Sequence, residues 1–490
     1  MGRDTRPPLH PLEAALVGIT ALHLCFLPWA LGTMHIWSQL TSAGLAVTGF
    51  VLAAMPRRDS DRFAPNSPAR QWPLARLSRN PVFWGGLILL GYIAVQGCNP
   101  AWRYMSNADS WWLEPVAHLA WLPSGVAAPF ELSNPWRALL VYGSLWLVVC
   151  SVAGGFVRRQ SYRVLFTVLA GNAFLLAAFG FVQLLSGTKQ IFWTYRPSNG
   201  GFSGSFIYPN HAGAYLNLMV ALAAGLALWL YRRGRHGVEK PSSARWFTVV
   251  TAGTGLMVIL SYSRASIISL LAFTALFGCA IAFRLFRRSR PGGSERPEWL
   301  PLVLTLAGFL AIGLISINST KVWGRFSELF SDPARASLDR RQARAAAADM
   351  LRDHWVLGWG AGCFRHGFPL YAQHYPDIYN SGSDRRKLWE HAHNDLLEIP
   401  LELGAVGMVP LAVILGGTAW SLYRRRFWRN ALSFSLVLGG VLTCLHAGVD
   451  FVFQNPAVLL TWGVLLTGAL RWAELDDPVL RRAGLAAPDT

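Results

Sequence analysis

Acidic side chains are scarce in this 490-residue sequence: 26 Asp and Glu stand against 44 Lys and Arg. Charge of either sign is low, at 14% of residues, against roughly 25% in an average soluble domain. So little charge cannot solvate the surface of several soluble domains, and length alone is a poor guide to organisation. The 6 cysteines give no disulfide framework. Cys25, Cys150, Cys279 and Cys444 fall in apolar runs and read as small hydrophobes. Cys98 and Cys363 fall in expected outer loops, where a pairing stays open. The sequence also lacks a His-Glu-x-x-His zinc helix, a phosphate-loop lysine behind its glycine-rich stretch, and a serine nucleophile elbow. No repeat of fixed period divides it into related halves, which argues against a transporter built on inverted repeats.

What is abundant is apolar sequence, 53% of the residues. About twelve stretches, each near the ~20 residues that cross a bilayer, predict an all-α, polytopic membrane helical bundle. They cover 12–31, 35–55, 81–98, 136–155, 163–185, 209–231, 246–262, 265–285, 299–317, 394–420, 430–451 and 456–472. The first follows a short basic tail (Arg3, Arg6) with no small-x-small cleavage site, so it reads as a retained signal anchor.

The net charge of +18 would suggest nucleic acid in a soluble protein. Here the basic residues sit in alternate short loops, for example Arg57 and Arg58, Arg158 and Arg159, Arg232 and Arg233, Arg287 and Arg288, and Arg424 to Arg426. That is the positive-inside pattern. It predicts cytoplasmic N- and C-termini and no nucleic-acid partner. The expected organisation is a bundle of about nine spans over 1–317, a large, partly helical outer loop over 318–393, three spans over 394–472 and a cytoplasmic tail over 473–490.

Three outer segments are long. Segment 99–135 is rich in tryptophan and poor in charge, which suits an interfacial loop in contact with membrane lipids. Segment 186–208 contains Arg196. In 318–393, Pro333 to Trp355 predicts a surface helix whose arginines suit anionic lipid, a polyanionic substrate or plain solvent. The glycine-dense run Leu357 to Phe364 behind it predicts tight turns or close backbone approach.

Polar residues crowd the outer ends of the spans. Arg264 is pinned between spans seven and eight with Ser263 and Ser266 beside it. It either snorkels to headgroups or presents a planar fork to a phosphate. Tyr208-Pro209-Asn210-His211 starts span six, where unpaired N–H groups favour an anion. Glu390, His391, His393, Asn394, Asp395, Glu398 and Glu402 lead into span ten. Glu398 and Glu402 share one helix face, expected to turn away from lipid, and Pro400 is expected to bend the span. His446 and Asp450 share a face near the end of span eleven. The spacing is not that of a metal helix, and no metal is expected.

These clusters, in this order, resemble the bacterial O-antigen ligase and Wzy-type polymerase superfamily over about 160–460. His393-Asn394 is followed by nine residues and then Gly404-Ala405-Val406-Gly407, similar to the ligase signature of His, a polar residue, nine residues and Gly-x-x-Gly. Met408 stands where the ligase pattern continues with threonine, which leaves ligase and polymerase open. Ser263-Arg264-Ala265-Ser266 and the stretch Gly204 to His211 resemble two further family segments.

The resemblance implies an enzyme of the bacterial cell inner membrane with its active site at the periplasmic face. It would transfer a glycan from undecaprenyl pyrophosphate to a sugar hydroxyl, on lipid A–core or on another lipid-linked glycan. His393 would be the base or orient the acceptor. Arg264 and Arg196 would hold the pyrophosphate. Read from their own chemistry, Ser263, Asn210, His211, Asn394, His391, Glu390, Glu398 and Glu402 are candidate supporting residues, with Glu390 or Glu398 orienting His393 or sharing its proton. The resemblance implies neither a cofactor nor a nucleotide sugar. The alternative is a polysaccharide or lipid flippase that forms no bond.

Overall fold

The computed structural model describes residues 9–57, 73–197, 203–234, 241–286, 299–317, 333–375, 378 and 388–475. The helices are α1 (Pro11–Trp29), α2 (Ile36–Ala54), the short α3 (Pro73–Leu77), α4 (Pro81–Cys98), α5 (Pro135–Gly155), α6 (Arg159–Leu185) and α7 (Pro209–Gly234). There follow α8 (Pro241–Leu260), α9 (Arg264–Phe286), α10 (Leu300–Ile317), α11 (Pro333–Asp353), α12 (Phe364–Ala372), α13 (Asp395–Arg424), α14 (Ala431–Ala447) and α15 (Pro456–Leu475). Among the described residues, 10 helices are long and apolar enough to cross a membrane. Of the twelve expected spans, the ninth and eleventh correspond to α10 and α14, whose described apolar runs are shorter. Helix α14 stops at Ala447 because the chain turns at Gly448, so Asp450 lies beyond the helix rather than on its face.

Asparagine and proline set where several spans begin. Asn80 accepts a hydrogen bond from Val82 N, Asn134 from Trp136 N and Arg137 N, and Asn455 from Val458 N. Each satisfies donors that the first helical turn leaves open, and the proline that follows has none to lose. Helix α7 is the axis of the bundle. Of its most apolar stretch, 94% is buried, and it packs on α6, α8, α9, α14 and α15. Its first turn is therefore held from several sides.

Segment 99–135, expected to be an interfacial loop, contains a 3-stranded sheet of order β2-β1-β3. Strand β1 (Pro100–Ser106) runs antiparallel to β2 (Trp111–Pro115), with Trp102 opposite Pro115 and Ser106 opposite Trp111. It runs parallel to β3 (Gly125–Ala127). The all-α expectation thus holds for the bundle and needs this correction outside it. The tryptophans supply strand side chains: Trp102 stacks on Trp359 with ring centroids 6.3 Å apart.

The glycine-rich run sits between this sheet and α13. Cys363 is buried, its Sγ accepting from Val126 N at 3.3 Å, and both Cys363 and Cys98 are free thiols. Helix α11 buries Ala343, Ala346, Ala347 and Met350 against Trp359, Phe364 and Phe368. Sheet, run and helix make one cap at one end of the bundle, here called the rim. Arg335 and Arg340, two of the arginines expected to suit anionic lipid, a polyanionic substrate or solvent, lie outside the described side chains.

Helix α13 breaks at Gly404 (φ 63°, ψ 176°), four residues past the proline expected to bend it. The chain from Trp355 to Gly360 runs through the break. Trp359 N donates to Leu401 O at 3.0 Å, Gly360 N to Glu402 O at 2.9 Å, Ala405 N to Trp355 O at 2.7 Å and Val406 N to Val356 O at 3.1 Å. These bonds take up backbone groups that an interrupted helix would leave open. The approach is close enough to demand glycine on both sides. A Cβ on Gly358 (φ +74°) would sit 2.3 Å from Glu402 O and 2.5 Å from Gly404 N.

Gly358→Ala is therefore expected to destabilise the chain by more than the ~1–2 kcal/mol of a left-handed residue alone. Gly416→Ala, where a new Cβ meets nothing within 4 Å, is the control. Thermal unfolding of detergent-purified protein measures both, and equal midpoints would remove the seam from the account of stability.

Candidate active site

The centre of the rim is Asp450, only 3% exposed. Its Oδ1 accepts from Phe451 N at 2.9 Å. Its Oδ2 accepts from Asn210 Nδ2 and lies 3.5 Å from the Tyr208 hydroxyl, both at the start of α7. His393 Nδ1 lies 3.4 Å from Oδ1, an ion-pair distance. Burial alone would push this carboxyl up. The His393 and His211 rings and the Phe451 N–H outweigh burial and hold it at about 2, so it stays ionised.

Phe451 organises the rings around that charge. His393 meets it edge-on at 4.8 Å, His211 edge-on at 5.0 Å, and His391 and Tyr208 stack on it at 4.7 and 5.2 Å. His393 has a left-handed backbone (φ 51°) and stays 28% exposed. A strained conformation is kept only where its surroundings fix it. Trp389 on one side, at 5.9 Å, and Phe451 on the other do so.

The carboxylate beside His393 is thus Asp450, not Glu390 or Glu398. Glu398 holds His391 (Nδ1 to Oε1, 2.7 Å) and also accepts from Ala392 N and Gln454 Nε2. Glu390 pairs with Arg365 at 3.0 Å. Glu402 is buried and accepts from Phe364 N at 3.1 Å, while Gln96 bridges its carbonyl and Ala361 N. It secures the glycine-rich run. His211 is also structural here: Nε2 lies 3.1 Å from Phe451 O and Nδ1 lies 3.4 Å from Asn455 Nδ2. Asp395 accepts from Phe453 N, and Asn394 Oδ1 and Asp395 Oδ1 are buried without a hydrogen-bond partner. Among the described residues, no three His, Cys, Asp or Glu side chains are grouped to hold a metal ion.

Arg264 opens α9, half-buried, directly after Tyr262 (φ 54°). Ser263 and Ser266 share a 2.7 Å hydroxyl contact, and Asn217 of α7 donates to Ser266 O at 2.9 Å. A Cβ on Gly213 would lie 2.1 Å from Ser266 Oγ. Glycine there lets the first turns of α7 and α9 touch. Since the first turn of α7 also binds Asp450, Arg264 and His393 lie at the same end of the bundle.

Arg196 is exposed on a turn next to the α1–α2 connection, where the Tyr195 hydroxyl lies 3.4 Å from His35 Nε2. No hydrogen bond or ion pair joins Arg196 to the His393 group among the described residues. The rim carries two further arginines that the sequence reading passed over. Arg365 pairs with Glu390, and Arg137, in the first turn of α5, lies within electrostatic reach of both. Arg137 had a signal, since it opens an apolar span as Arg264 does.

The His391 imidazole has its own pH signature. Burial opposes its charge, but the Glu398 carboxylate, with Glu402 and Glu390 behind it, raises its pKa above the usual histidine value. A raised folded-state pKa stabilises most below the unfolded value of about 6.5, and the gain is lost as pH rises through the folded value. As pH rises above about 6.5 the His391 contribution to the unfolding midpoint should be lost, and His391→Gln should make the fall over that range shallower. An identical slope in the variant would show that another group governs it.

Residues 247–412 match the family model described as O-Antigen ligase. The match runs from α8 into α13 and includes both Arg264 and His393. Compared with curated proteins, the chain finds no match. The chain thus carries, over residues 247–412, a domain of the O-antigen ligase family, in keeping with the Wzy-type ligase and polymerase superfamily.

Proposed function

We propose that this chain is a glycosyltransferase of the bacterial inner membrane, acting at the periplasmic face as an O-antigen ligase or a related polysaccharide polymerase. Its donor is a glycan on undecaprenyl pyrophosphate, and its acceptor is a sugar hydroxyl on lipid A–core or on a second lipid-linked glycan. One observation carries the reading: the charge-bearing residues of three separated sequence clusters lie at one end of the bundle, with an ionised carboxylate behind a part-exposed histidine.

In the proposed step the acceptor oxygen attacks the anomeric carbon. A new carbon–oxygen bond forms as the bond to pyrophosphate breaks, and its electron pair leaves with the phosphate. The acceptor proton passes to His393. With Nδ1 turned to Asp450, Nε2 is the nitrogen that takes it, and the carboxylate stabilises the imidazolium. Arg264 neutralises charge growing on the leaving group, and fixed guanidinium groups do so without reorganising. Arg196, exposed beside the Tyr195–His35 contact, adds a second positive charge for the pyrophosphate. An inverting displacement follows from attack opposite the leaving group.

His393→Ala should lower turnover of a lipid-linked glycan in purified protein by about 10²-fold or more. Arg264→Ala should lower turnover and also weaken binding of a pyrophosphate lipid. Full turnover in a folded His393→Ala protein sinks the base assignment. Gradient-driven transport without bond formation would favour the flippase reading. Deletion of the gene separates the two transferases: accumulated polymer with uncapped core marks a ligase, and single repeats on the core mark a polymerase.

A further inference from the structure

The opposite end of α7 holds a feature the proposed transfer does not use. Trp229 lies about 27 Å along the helix axis from His211. A cavity of about 360 Å³ opens there between α6, α7 and α8. Arg163, Thr167, Ser242 and Ser243 supply its polar lining, and Trp229 and Trp246 its aromatic walls.

Three guanidinium groups converge on one indole. The Cζ atoms of Arg233, Arg159 and Arg163 lie 5.1, 5.5 and 5.8 Å from the Trp229 ring centroid, and that of Arg159 lies 4.3 Å from the Trp472 ring. The indole faces offset part of the repulsion among these charges. An anion at the cavity mouth offsets more. Serine and threonine hydroxyls beside Arg163 add the neutral donors that a phosphate takes.

Two of the helices that border the cavity carry exposed apolar side chains. Val164 is 39% exposed, Val168 41%, Trp246 45% and Val249 50%, all on α6 and α8. A soluble anion has no use for such a border, whereas an acyl chain does. We propose that this cavity seats the phosphate of an anionic phospholipid, with the acyl chains along the exposed apolar side chains of α6 and α8. Basic pockets between spanning helices have the right chemistry for such headgroups. The seat differs from an ordinary basic loop in its cavity and its ring-held arginines. Arg245, exposed on the same helix α8 and outside the lining, represents the ordinary case.

The test uses the full chain in detergent, titrated with phosphatidylglycerol, phosphatidylcholine or inorganic phosphate and followed by native mass spectrometry and thermal stability. Phosphatidylglycerol should bind saturably and raise the unfolding midpoint, with little effect from the other two. Arg163→Gln should weaken that binding by about fivefold or more, the scale of one arginine near an anionic headgroup, and Arg245→Gln should leave it unchanged. Should Arg163→Gln fail to fold, Thr167→Trp, which fills the cavity from an exposed position, should abolish the saturable step. Equal loss in Arg245→Gln would reduce the seat to general surface charge and overturn the proposal. So would inorganic phosphate binding as well as the lipid, or saturable binding that survives Thr167→Trp.

Discussion

A buried carboxylate in a chain poor in acids holds the rim together. Removing Asp450 from water is costly unless its charge is matched by donors and cations. Those partners come from three places in the chain: the first turn of α7, the Phe451 amide, and the segment leading into α13. The charge is satisfied only when all three meet. Packing of the bundle and assembly of the His393 group are therefore one event, and the ring of Phe451 gives that event its shape.

The cap depends on the same principle with backbone groups in place of side chains. Gln96 from α4, the glycine-rich run and Glu402 exchange hydrogen bonds in which one amide side chain serves both its acceptor and its donor. The sheet rests on this junction through Trp102, Trp359 and the Val126–Cys363 contact. The cap and the membrane-length helices thus meet through bonded polar groups as well as through apolar contacts such as Ala361 with Leu89, Ile93 and Leu403.

The helices were legible in sequence because length and apolarity are local quantities. The asparagine caps that fix several of their starts emerge only in the structure. The sheet was not legible. Tryptophan and proline in 99–135 suit a headgroup layer as well as a strand, and β3 exists only because β1 lies beside it. Helical spacing told which residues share a face, as for Glu398 and Glu402. It could not tell which residue faces His393 from another element, and the answer was Asp450. His211 was visible as a polar residue at a helix start, yet both its ring nitrogens find their neighbours more than two hundred positions away. Arg365 gave no local signal, since only the fold brings it to Glu390.

The glycine seam between 355–360 and 401–406 has a mechanical consequence. An interrupted transmembrane helix is usually free to flex, because its open backbone groups exchange partners as it moves. Here those groups are already bonded to a second chain segment at a separation no side chain could enter. The lower and upper halves of α13 are riveted rather than articulated. Any displacement of the cap then carries both halves of the helix with it, as one block.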